Sequence, residues 1–137
     1  MKQHKYESLV KFVHLDGIKE FKETDPTLFS EDGISTSTLE VDNGKNVPVT
    51  MFDVKRACEM FINHELSLFQ FQQWGEWIHM MDFFDLDSNN ESSRENETLI
   101  NLITEIDNID LVESEKVTDK VKEILSLANN YIKENIQ

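Results

Sequence analysis

Four histidines, one cysteine and a dense run of acids are the side chains from which this chain could build a reactive site, and their spacing decides how far each goes. The run Asp85-Leu86-Asp87-Ser88-Asn89-Asn90-Glu91-Ser92-Ser93 sets oxygen-bearing side chains at the first, third, fifth, seventh and ninth positions of an EF-hand loop. Asn90 stands where such a loop needs glycine for its sharp turn, and Asn96 where it needs a bidentate glutamate. The run therefore reads as a solvated acidic loop, and no metal ligand is assigned in it. His4, His14, His64 and His79 are widely separated, with no pair at the spacing that brings two imidazoles onto one helix face for zinc. His79 and Glu76 share a stretch with Trp74 and Trp77, but helix positions so close in sequence face each other poorly, which argues against an acid–base pair. Cys58 lies among apolar neighbours and reads as a small buried hydrophobe in a protein of a reducing compartment. Without a Gly-rich phosphate loop, a nucleophile elbow or a Cys/His arrangement, the expectation is a non-enzymatic protein with no cofactor.

Charge is more informative than any of these motifs. The net charge is −14, and fourteen of the 27 Asp and Glu lie between Ala57 and Glu115, where Arg94 is the only Lys or Arg. A segregated acidic block creates a local field that selects positively charged partners and speeds their approach. Direct nucleic-acid binding is disfavoured, because neutralising phosphates needs the opposite charge. The expected partner is a basic protein. No apolar run approaches the length of a membrane span, and the start Met1-Lys2-Gln3-His4-Lys5 lacks the pattern of a secretory leader, so a cytoplasmic location is expected.

The elements that must position these side chains read as mainly α: a single domain over residues 1–137, built as a bundle of about four to five helices with a small β-hairpin near residues 36–49. Apolar residues from Tyr6 to Phe21 suggest an interrupted helix. Asn43-Gly44 suits a two-residue hairpin turn, and Pro48 confines the strand to an edge. Thr50 and Asp53 form one helix-start signature, Ser67 and Gln70 another. The first helix should run to about Ile62; the second carries Phe71, Trp74, Trp77, Ile78 and Met81, with Gly75 as its weak point. Residues 84–97 read as a mobile acidic loop. A helix then spans Thr98 to Ile106, ended by Asn108, and the last one runs from Thr118 to about Glu134.

Helical spacing places Trp74, Ile78 and Met81 on one stripe and leaves Phe71 and Trp77 pointing away from it, which makes those two aromatics the candidates for an exposed contact. Asp85, Asp87, Glu91, Glu95, Glu97, Asp107, Asp110 and Glu113 fall on expected loops and helix ends and complete the candidate partner-binding set.

Over Thr50 to Asn108, with its capped helix ending Phe61-Ile62-Asn63-His64-Glu65-Leu66-Ser67, its segment Trp74-Gly75-Glu76-Trp77-Ile78 and its run Leu102-Ile103-Thr104-Glu105-Ile106-Asp107-Asn108, the chain resembles small acidic bacterial immunity proteins. The resemblance covers less than half of the chain and carries no diagnostic motif. It implies stoichiometric inhibition of a cognate toxin, often a nuclease with a basic cleft. Two further readings use the same acidity: an adaptor or regulatory subunit, and a phage-borne inhibitor that mimics nucleic acid.

Overall fold

The computed structural model describes residues 6–15, 46–80, 84–85 and 93–135. In chain order these form α1 (Tyr6–His14), β1 (Val47–Pro48), α2 (Met51–Ile62), α3 (Leu68–Met80), β2 (Phe84–Asp85), α4 (Ser93–Asp107) and α5 (Val117–Asn135). Two short 3-10 turns, Ile109–Leu111 and Ser114–Lys116, carry the chain from α4 to α5. The architecture is a mainly helical bundle, as composition and periodicity lead one to expect. None of the described helices is long and apolar enough to cross a membrane.

Local signals set the starts of α2 and α3. The Asp53 carboxylate accepts the Thr50 backbone N–H at 2.8 Å and the Thr50 hydroxyl at 3.2 Å, which satisfies groups left open at a helix start. Asp53 is also buried, so its charge needs more than a cap. His14 Nδ1 lies 2.7 Å from Asp53 Oδ1, and the Arg56 guanidinium reaches both that carboxylate at 3.5 Å and the His14 carbonyl at 3.4 Å. A cap at the start of α2 thus becomes a clasp on the end of α1. The start of α3 is reciprocal: Ser67 N–H donates to Gln70 Oε1 at 3.0 Å, and Gln70 N–H to Ser67 Oγ at 3.1 Å.

Helix α3 is the centre of the core, and it overturns the expected exposure of Phe71 and Trp77. Both are fully buried, together with Trp74. The reason is that α3 is covered on more than one side. Phe71 packs its ring on Phe61 of α2 with centroids 5.1 Å apart, and Trp77 packs on Phe12 of α1 at 6.0 Å. Trp74 Nε1 donates to the Val13 carbonyl at 3.2 Å. On the side of α4, a Cβ added to Gly75 would lie 2.5 Å from Ile106 Cγ2 and 3.0 Å from the Asp107 nitrogen, so only glycine permits this close approach. The residue read as a weak point is the notch that seats α4.

α5 closes the bundle by laying Val121, Ile124 and Ala128 into the core along α2. Of the segment expected to form a hairpin, Val47 and Pro48 lie in a parallel pair, with Val47 opposite Phe84 and Pro48 opposite Asp85. Parallel strands need a long crossover, and α2 with α3 provides it. The pairing brings Phe84 against the Phe12 ring at 5.9 Å. Residues 36–45, including Asn43-Gly44, lie outside the described residues.

Other boundaries shift for local reasons. α1 stops at His14 because Leu15 takes a φ of 57°, ahead of Gly17; residues 16–21 lie outside the described residues. α4 starts at Ser93 rather than Thr98, which removes 93–97 from the expected acidic loop, and β2 takes 84–85 from its other end. Asn108 does follow the last residue of α4, yet with a φ of −96° it leads into a 3-10 turn instead of a left-handed stop.

Candidate functional site

The Gly75 notch fixes where α4 ends over α3, and a polar seam forms there. Gln72 Nε2 donates to the Asp107 carbonyl at 2.9 Å and to Asp107 Oδ1 at 3.4 Å, while His79 Nδ1 lies 2.7 Å from Asp107 Oδ2. Gln72 and His79 are about two helical turns apart, so Asp107 is held from both sides. Glu76 joins the seam by accepting from Gln73 Nε2 at 2.9 Å and Gln72 Nε2 at 3.3 Å. Gln73 Oε1, by contrast, is buried with no hydrogen-bond partner among the described residues.

His79–Asp107 and His14–Asp53 are both imidazoles held through Nδ1 by a carboxylate, an arrangement that can orient a general base. Among the described residues no Ser, Thr or Cys hydrogen-bonds to either ring. The Cys58 thiol is sealed in the core, where burial, with a smaller contribution from Glu59, pushes its pKa up to about 12. No cluster of three or more His, Cys, Asp or Glu set to hold a metal occurs among the described residues.

Beyond Asp107 the chain becomes a surface. Ile109 is buried and pins the connection, while Leu111 is 79% exposed. Successive turns hold this exposure in place: Leu111 N–H donates to Asn108 O at 3.0 Å, Val112 N–H to Ile109 O at 3.1 Å and Lys116 N–H to Glu113 O at 2.8 Å. Asp110, Glu113 and Glu115 surround Leu111 in the sequence and are all exposed. Lys116 lies 3.5 Å from Glu113 with both side chains solvated, a pair of little energetic weight. Asp110 and Glu115 have no ion-pair partner among the described residues. One turn earlier, Glu105 holds Lys120 at 2.8 Å, a hydrogen bond that raises the lysine pKa.

The expected site residues divide accordingly. Glu97, Asp110 and Glu113 are exposed, and Asp107 is half-buried under His79 and Gln72. Phe71 and Trp77 are core residues and leave the set. Asp85 pairs through its backbone with Pro48; its side chain, that of Glu95, and Asp87 and Glu91 lie outside the described residues. Leu111 was missed, as was Met80, 57% exposed at the end of α3. The available signal was an isolated leucine between acids, two positions after the isoleucine that anchors the turn. Comparison of the chain with family models, with curated proteins and with solved structures returns no match.

Proposed function

We propose that this protein is a non-enzymatic inhibitor that binds a basic partner protein in the cytoplasm and neutralises it, in the manner of a bacterial immunity protein acting on its cognate toxin. A nuclease, whose cleft is positively charged to hold phosphates, is the partner class that complements this surface best. The observation that carries the reading is the composition of the 108–116 connection: a leucine held in solvent among Asp110, Glu113 and Glu115. Exposed acids speed encounter, while a small number of apolar anchors supply most of the affinity. Leu111 takes the anchor role for which Phe71 and Trp77 had been the sequence candidates.

The test is affinity capture, followed by assay of the captured protein's own activity with and without this chain. A single basic partner that loses activity at one-to-one stoichiometry supports the reading; several unrelated partners that stay active support the adaptor. Replacing Asp110, Glu113 and Glu115 by Asn or Gln should slow association and flatten its salt dependence, whereas Leu111→Ser should speed dissociation. If neither set changes the kinetics, the acidic connection is only a solvated surface and the reading fails.

A further inference from the structure

A cavity of about 360 Å³ opens at the other end of α2, where the turn into α3 meets the first turns of α5. Its apolar floor is Phe61, Ile62, Leu66 and Leu68, and its polar lining is His64, Ser67, Thr118 and Lys122. No carboxylate lines it, although Glu65, Asp119 and Glu123 adjoin lining residues in the chain. Lys122 and His64 are the only lining side chains that can carry charge, and both carry it as cations.

Two features single out the basic residues. Lys122 makes no ion pair among the described residues, whereas Lys116 and Lys120 of the same region each hold a glutamate. Its ammonium group lines the cavity and is open to solvent. His64, directly after the C-cap Asn63 of α2, has a φ of 63°, a conformation in which glycine is unstrained and a side chain is not. The turn would close as well with glycine, so the imidazole at this position adds nothing that the backbone needs. Ser67 Oγ already accepts the Gln70 N–H at 3.1 Å, which leaves its O–H hydrogen able to donate.

We propose that this cavity binds a small amphipathic carboxylate, with its apolar body on Phe61, Ile62, Leu66 and Leu68 and its carboxylate against Lys122 and His64. The volume lies at the lower end of the range for small-ligand sites, about 300–1,000 Å³, which suits a ligand the size of a medium-chain acid or a terminal dipeptide. A neutral apolar molecule would leave Lys122 without a counter-charge, and a bare inorganic anion would leave the floor unfilled. The site shares no lining residue with the acidic connection, and its failure would leave that proposal untouched.

Titration of the full chain with octanoate, N-acetyl-leucyl-leucine and octan-1-ol, followed by backbone amide NMR, tests this. Saturable shifts confined to residues 61–68 and 118–122 are expected with the two carboxylates, and the tighter of them tells a free acid from a peptide C-terminus. Lys122→Gln should weaken both by about tenfold, the loss of one charge-assisted contact, and leave octan-1-ol unaffected. His64→Gly should keep or raise the Tm while weakening carboxylate binding. Octan-1-ol binding as tightly as octanoate, or carboxylate affinities unchanged in both variants, would overturn the proposal. So would an absence of saturable binding at millimolar concentration.

Discussion

The aromatic centre of helix α3 and Leu111 of the 108–116 connection are large apolar groups placed in opposite ways. α3 buries Phe71, Trp74 and Trp77 completely, because α1, α2 and α4 all pack on it. The connection buries Ile109 and holds Leu111 in water. Residues of one chemical type therefore build the fold in one place and a surface in the other. Periodicity states which residues share a face; the number of faces a neighbour will cover depends on the rest of the chain. Stability and partner binding should accordingly be separable by mutation, and the following experiments push on that separation.

The largest effect belongs to the aromatic centre of α3. Trp74→Ala and Phe71→Ala should each cost about 3–5 kcal/mol in denaturant unfolding, since both leave cavities in a fully packed core. A Phe71→Ala protein of unchanged stability would erase the contrast between the two regions. Next comes Gly75→Ala. The added methyl gains helix propensity but meets Ile106 and the α4 backbone, so a net loss of about 1–3 kcal/mol is expected. Combining it with Ile106→Ala should cost less than the sum of the two single changes; strict additivity would mean that the notch does not seat α4.

The core can also be probed with pH. Burial raises the Cys58 pKa from 9.0 to about 12, so the folded chain holds its thiol proton more tightly than the unfolded chain. The contribution is fully present below pH 9.0 and is lost as pH rises toward 12. Across that window the stability of the native protein should fall relative to Cys58→Ala by about 1 kcal/mol per pH unit. Parallel profiles for the two proteins would show that Cys58 does not titrate as a buried group. The smallest effect is expected at Leu111, where Leu111→Ser should change stability by less than about 0.5 kcal/mol. A larger loss would move Leu111 from the surface to the core side of the comparison.

The features legible in the sequence were those fixed by near neighbours. Thr50 with Asp53 and Ser67 with Gln70 form the hydrogen bonds their spacing predicts, and the last helix follows its apolar stripe. Distant contacts were not legible. Asp53 was recognisable as a cap, but its second task depends on His14, 39 positions away. The Trp74–Ile78 stripe is only part of the buried arc, so helical spacing alone leaves Phe71 and Trp77 outside it, and the fit of Gly75 depends on Ile106, which lies 31 positions away on α4. The pairing of Val47 with Phe84 has no local turn to announce it. The acidic connection was half legible: its charges were evident, while the exposure of Leu111 follows from the 3-10 turn that buries Ile109.

Sealing the only cysteine has a practical reach. Thiol reagents attack the thiolate, and with the pKa pushed up to about 12 only roughly one folded molecule in 10⁵ carries it at neutral pH. Cys58 is thus expected to resist alkylation, mixed-disulfide formation and oxidation while the fold is intact. A second cysteine placed at Leu111 would be the sole reactive thiol in an otherwise native chain. A fluorophore, a spin label or a photo-crosslinker could then be attached at that point without first removing Cys58, and it would report from the surface on which a partner is expected to land.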